Sequence, residues 1–222
     1  MKASKKTATI DRMALLGSSR GLGWATYQIL TKNCPDAFYF LSSRKINNRS
    51  KEVTKLSTLI AQDFSKTPVA SSFLDDLKKF NPTTIIYLAG GGPHGPFEEK
   101  KWSDHQWALN TCFLYPAELL HLVLSASESF LDLQQIIFVG SAIAEDRADP
   151  LAASYAAAKH ALKGLITSVQ QESSKKPKVR LFSPGYMQTE LLPVCSKPRQ
   201  AGIAEDAFDV AKKLIAFIEK ND

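Results

Sequence analysis

The sequence predicts an α/β protein built on a doubly wound parallel sheet, on three observations. Short apolar, β-branched runs alternate with longer amphipathic stretches, a glycine-rich turn follows the first run, and Pro and Gly cluster directly after the fourth. Such alternation marks βαβ units, whose strands are covered by helices on both faces. Strands are expected at 13–17, 37–41, 57–61, 84–88, 136–140 and 179–183, and helices at 22–33, 69–80, 104–130, 154–173 and 205–220. The polar, Asn-rich stretch 45–55 has few apolar residues at helical spacing, so the second crossover is expected as a short loop or single turn. With 222 residues and no linker or repeat, the chain is read as one domain, 1–222.

Composition narrows the function classes. At 44% hydrophobic and 23% charged, the chain is neither a disordered nor a fibrous type. Its net charge of +6 is spread over loops and helix ends rather than gathered in a block, so no nucleic-acid partner is expected. Cys34, Cys112 and Cys195 are far apart, and the four histidines lack the spacing of metal ligands, so no metal is expected and the thiols read as idle in a reducing compartment. Residues 1–12 lack the apolar core of a signal peptide, and the longest apolar stretch, 113–126, is interrupted by Pro116, Glu118 and His121. A cytoplasmic protein with no membrane segment is the expectation.

The first strand runs into GSSRGLG at 17–23 and then into a helix. Gly17, Gly21 and Gly23 remove the Cβ atoms that would keep a pyrophosphate away, while Ser19, Arg20 and Leu22 complete the turn at a helix N-terminus, which favours anions. The sheet is therefore expected to be of Rossmann type, binding a dinucleotide beyond the carboxyl ends of its strands. Sites for NAD usually place a carboxylate at the end of the second strand to hold the ribose 2′-hydroxyl. Here Ser43 and Arg44 stand there, and Arg44 with Arg20 could clamp a 2′-phosphate, so NADP(H) is expected over NAD(H).

Tyr155 and Lys159 lie four apart on a predicted helix, on one face and within reach of a common ligand. A phenol, with an ordinary pKa of about 10, needs nearby positive charge to exchange protons near neutrality, and Lys159 would supply it. A Tyr and a Lys at this spacing more often reflect packing than chemistry, so context must decide. Ser141 follows the fifth strand, where its hydroxyl can hydrogen-bond a carbonyl oxygen; its plainer role is a turn or capping serine.

Taken in order, GSSRGLG, Asp63 after the third strand, AGG after the fourth, Asn110, Ser141, YAAAK and SPGYMQT resemble the classical branch of the short-chain dehydrogenase/reductase family over nearly the whole chain. The resemblance implies hydride transfer between NADP(H) and a small carbonyl or alcohol, with Asn110, Ser141, Tyr155 and Lys159 as the catalytic set. Asp63 would contact the adenine, Ala89 and Gly90 would pack along the cofactor, and Phe64 and Gly91 join the cofactor-binding positions. Pro184 and Gly185 would shape the loop beside the nicotinamide, with Met187 and Thr189 reaching its carboxamide and phosphates. Asn110 would hold a water linking Lys159 to solvent; its plainer role is a helix polar group bonded to backbone.

Four departures from the family pattern are visible. Tyr87 and Leu88 replace the two asparagines that usually brace neighbouring strands before Ala89 and Gly90. The 14-residue interval from Ser141 to Tyr155 is one longer than the family pattern, and the family's final strand is missing after the helix at 205–220. The segment after Thr189 is short for a substrate cover, with Leu191, Leu192, Val194, His94, Phe97 and Tyr186 as candidate pocket walls. By analogy the helices at 104–130 and 154–173 would pair subunits in a homodimer or homotetramer. The competing reading is a dinucleotide-sensing binding protein that kept the fold without turnover; the four catalytic positions favour the enzyme.

Overall fold

Six apolar segments form the strands: β1 (Arg12–Leu16), β2 (Phe38–Ser43), β3 (Ser57–Ala61), β4 (Thr84–Tyr87), β5 (Gln135–Val139) and β6 (Lys178–Phe182). The computed structural model describes residues 10–145, 150–172, 177–194 and 196–220. All five pairings are parallel, in the order β3-β2-β1-β4-β5-β6. This is the doubly wound topology expected, and its reversal between β1 and β4 opens a crevice at their carboxyl ends.

Burial on both faces explains why nearly every central strand position is apolar. Ala14, Leu16, Ile85, Tyr87, Ile136 and Phe138 point into one core, and Met13, Leu15, Ile86, Ile137 and Val139 into the other, with the period of two that a pleated strand imposes. The first core is covered by α2 (Ser71–Phe80), α4 (Tyr115–Ser125) and α5 (Ala153–Glu172); the second by α1 (Gly21–Asn33) and α7 (Ala207–Glu219). Helix α2 stops where Asn81 turns left-handed at φ 51°, its N–H returning to the Leu77 and Lys78 carbonyls just before Pro82.

The helix expected at 104–130 differs. It begins as α3 (Trp102–Leu109), widens into a π-helical turn at Asn110–Leu114, and continues as α4 only to Ser125. Pro116 gives the reason for the widening: it has no N–H for the Cys112 carbonyl, and its ring crowds that carbonyl in a regular turn. Beyond α4 the chain bends at Ala126 into a separate short turn, Ser127–Ser129. Other boundaries fall within two residues of expectation, and the stretch after β2 is one 3-10 turn, Ile46–Arg49. A further short helix, α6 (Lys197–Gln200), follows the segment after β6.

Among the described residues β6 is a sheet edge, covered from α7 by Phe217. Its ring lies 5.5 Å from Phe182 and under the Arg180 guanidinium at 4.0 Å. No helix among the described residues is long and apolar enough to cross a membrane.

Candidate active site

The crevice at the carboxyl edge of the sheet is a cleft that reaches from the end of β2 to the end of β5. Gly17, Ser19, Arg20, Gly21, Leu22 and Gly23 line it at the turn between β1 and α1, and Ala89 and Gly90 line it after β4. Gly17 sits at φ +107°, and a Cβ there would lie 2.4 Å from the Ala89 backbone nitrogen. A side chain at this position would therefore collide with main chain that cannot yield. The Gly17 N–H donates to the Ser42 carbonyl at 2.7 Å, fixing the loop to the end of β2.

One end of the cleft is cationic. Arg44 and Lys45 line it just beyond β2, beside Ser43, Asp63 and Phe64. The Arg44 guanidinium lies 5.7 Å from the Trp107 ring. Arg49 staples this stretch to the glycine loop: its Nε donates to the Ser19 carbonyl at 3.1 Å, its Nη1 pairs with Glu52 at 2.8 Å, and its guanidinium stacks 4.4 Å over Trp24. Asp63 accepts from the Ser65 N–H at 3.0 Å and the Ser65 hydroxyl at 2.7 Å. Burial pushes the Asp63 carboxyl up, but these two bonds and the charges of Arg44 and Lys66 outweigh it and hold it below its usual value. The Ser43 and Thr111 hydroxyls, both buried at the cleft, have no hydrogen-bond partner among the described residues.

Arg20 does not join Arg44 as expected. It forms an ion pair with Glu190 instead. The cause is the segment after β6, which passes so close to the glycine loop that a Cβ on Gly21 would lie 3.4 Å from Thr189, bringing the Glu190 carboxylate to Arg20.

At the other end the cleft is lined by Val139, Gly140, Ser141, Tyr155 and Lys159, facing Pro184, Gly185, Met187 and Thr189. Lys159 is 4% exposed, and its ammonium donates to the Val139 carbonyl at 2.6 Å and lies 5.6 Å from the centre of the Tyr155 ring. An ammonium has three N–H donors, so two of them are left for a ligand in the cleft. Ser141 accepts from the Ile143 N–H at 3.4 Å, and the next residue, Ala142, donates its N–H to the Pro184 carbonyl at 2.9 Å. The hydroxyl thus caps a turn and also faces the cleft.

The first turn of α5 is fixed by a buried histidine. His105 Nε2 meets the Phe97 carbonyl at 3.1 Å and Nδ1 meets the Ser154 hydroxyl at 2.5 Å. A carbonyl only accepts, so Nε2 carries the proton and, in the neutral ring, Nδ1 accepts from Ser154, the neighbour of Tyr155.

Asn110 lies behind this wall, not on it. Its amide donates to the Ser65 carbonyl at 3.1 Å, and Thr111, in the same π turn, lines the cleft in its place. The loss of the bracing asparagines is answered by Tyr87, whose buried hydroxyl donates to the Thr111 carbonyl at 2.7 Å and ties β4 to the widened turn. Cys112, also in that turn, accepts from the Gly91 N–H at 3.3 Å, donates to the Gly91 carbonyl at 3.2 Å, and its thiol is pushed up by burial.

With this geometry in place, the deciding comparison is a family model described as short chain dehydrogenase, which matches residues 12–199. The chain belongs to the short-chain dehydrogenase family. No curated protein matches it in sequence. Solved structures similar to it include 4-hydroxyisoleucine dehydrogenase complexed with NADH, with TM-score 0.79 and 21% identity over 94% of this chain and 90% of that one. A short chain dehydrogenase from Burkholderia cenocepacia J2315 in complex with NADP gives TM-score 0.74 and 22% identity over 97% and 93%. BdcA in complex with NADPH gives 0.73 and 19% over 96% and 88%.

In this short-chain dehydrogenase the cleft brings together all the catalytic and cofactor-binding positions singled out from sequence except Asn110 and Gly91, which do not line it. Of the candidate pocket walls only Leu191 lines it; Phe97 packs its ring on His105 at 4.4 Å, and Val194 is 77% exposed. Part of the interval between Ser141 and Tyr155, and Cys195, lie outside the described residues. Sequence reasoning missed Lys45, Trp107, Thr111 and Glu190.

Proposed function

We propose that this short-chain dehydrogenase is an NADP(H)-dependent oxidoreductase that reduces a small carbonyl compound or oxidises the corresponding alcohol. The observation that carries this reading is the buried Lys159 ammonium beside the Tyr155 ring, in one cleft with Ser141. Burying a cation with a single backbone acceptor is costly unless further partners arrive, and the hydroxyls of a ribose would supply them.

The residues present fit a nicotinamide dinucleotide. The glycine turn lines the cleft at the start of a helix, which suits a pyrophosphate, and the orphaned Ser43 and Thr111 hydroxyls and the second carboxylate oxygen of Asp63 suit an adenosine. Such a cofactor supplies or accepts the hydride when bound. In the reductive direction Ser141 would donate a hydrogen bond to the carbonyl oxygen, which gains charge as the carbon is reduced, and Tyr155 would hand that oxygen a proton. Lys159 would place positive charge beside the phenol and grip the ribose. Asn110, bonded to Ser65, would steady the π turn at the rear of the site, and the homodimer or homotetramer suggested by analogy completes the proposal.

Preference for NADP(H) rests on Arg44 and Lys45 where a carboxylate would otherwise read the ribose. The similar structures hold NADH in one case and NADP in another, at identities that speak to fold alone. The test is nucleotide oxidation against a panel of ketones, aldehydes and quinones, with wild type and Arg44→Ala. Arg44→Ala is expected to raise KM for NADPH about tenfold and leave that for NADH within about twofold, as for loss of one charge-assisted phosphate contact. An unchanged ratio would overturn the cofactor assignment, and tight nucleotide binding without turnover would favour a dinucleotide-sensing protein.

A further inference from the structure

Two segments of the cleft meet on one side chain that the proposed chemistry does not use. Trp107 lies on α3, lines the cleft, and receives the Arg44 guanidinium from β2 at 5.7 Å. From the loop after β4, Gly91 comes so close that a Cβ there would lie 2.6 Å from the indole Cη2, and φ at Gly91 is +151°, in the range that favours glycine. From the segment after β6, Leu191 Cδ2 would lie 3.0 Å from that same Cβ, so the indole and Leu191 both close on Gly91.

We propose that Trp107 is the positioning residue for cofactor discrimination: its indole seats the Arg44 guanidinium over the cleft, ready for a 2′-phosphate, and Gly91 supplies the room the ring needs. The inference rests on the NADP(H) reading of Arg44. An arginine free in solvent must give up its rotamer freedom when it meets a phosphate, and that cost is subtracted from affinity. A guanidinium already resting on an aromatic face has lost much of that freedom beforehand, while its N–H groups, in the plane of the guanidinium, stay open to an anion. The attraction needs a π face, not apolar bulk. An aliphatic residue of similar size would fill the space beside Gly91 without holding Arg44.

The test measures dissociation constants of NADPH and NADH at fixed ionic strength, by nicotinamide fluorescence, for wild type, Trp107→Met, Trp107→Phe and Arg44→Ala. Trp107→Met, which keeps apolar bulk, is expected to weaken NADPH about three- to tenfold and NADH less than about twofold. Trp107→Phe, which keeps a ring face, is expected to bind NADPH within about twofold of wild type. Equal weakening of both nucleotides by Trp107→Met, or no weakening, would overturn the proposal, as would a phenylalanine variant no better than methionine. Should Trp107→Met fail to fold, Trp107→Phe and Trp107→Leu carry the same comparison. Arg44→Ala separates the two levels: if it leaves the NADPH-to-NADH ratio unchanged, the NADP(H) reading itself fails. If it raises that ratio of dissociation constants and Trp107→Met does not, only the role of Trp107 fails.

Discussion

Replacing Tyr155 with phenylalanine is expected to lower turnover by about 10³-fold while leaving nucleotide binding within about twofold of wild type. The two halves of this result have separate causes. The phenol ring lies beside the buried ammonium of Lys159, 5.6 Å from the ring centre, and shares this end of the cleft with the Ser141 hydroxyl. Removing the oxygen leaves the carbonyl without its proton source, an effect on the reacting state alone. The phenylalanine ring keeps the shape of the α5 face, and His105 still holds Ser154, so the fold and the cleft persist. Steady-state rates read with nucleotide titrations check both halves; equal loss of binding and turnover would mean that Tyr155 acts in packing.

Gly17→Ala is expected to destabilise the protein by about 2–4 kcal/mol and to abolish nucleotide binding. At φ +107° a side chain is strained in any surroundings, and here the added Cβ would meet Ala89 nitrogen at 2.4 Å and Ala89 Cα at 2.7 Å. Neither atom belongs to a flexible side chain. Relief requires moving β1 away from the chain after β4, which breaks the bonds from the Leu88 and Ala89 N–H groups to the Leu16 carbonyl at 2.7 and 2.9 Å. The floor of the cleft is therefore lost with the strain. A thermal transition lowered by roughly 5–15 °C, together with no detectable nucleotide titration, is the expected measurement.

The centre of the sheet was legible because its strands are buried on both faces: the run Met13 to Leu16 has no solvent side and so no polar interruption, and the same holds for Ile85 to Tyr87 and Ile136 to Val139. The helix expected at 104–130 was misjudged because apolar periodicity carries no signal for a change of helical winding. Pro116 did carry one, through its missing N–H, and the π turn at Asn110–Leu114 lies just ahead of it. In the site, positions set by local chain geometry were readable: Tyr155 and Lys159 by helical spacing, and the glycines by their turn. Pairings across the fold were not. Nothing near Arg20 in sequence points to Glu190, since their meeting depends on how the segment after β6 folds back over the glycine loop. Tyr87 likewise reads as a strand residue, and only the packed structure turns its hydroxyl toward the Thr111 carbonyl and makes it a brace where the family pattern usually has two asparagines.

The central claim is that this cleft transfers hydride to a carbonyl carbon while Tyr155 protonates the oxygen. It is tested most directly with NADPH carrying deuterium at nicotinamide C4, incubated with the carbonyl panel and followed by mass spectrometry of the alcohols formed. The account predicts deuterium on the carbinol carbon of at least one product, from one face of the nicotinamide only, falling by about 10³-fold in rate in Tyr155→Phe. Saturable NADPH binding with no deuterium transferred to any carbonyl, or transfer at an undiminished rate in Tyr155→Phe, would contradict it.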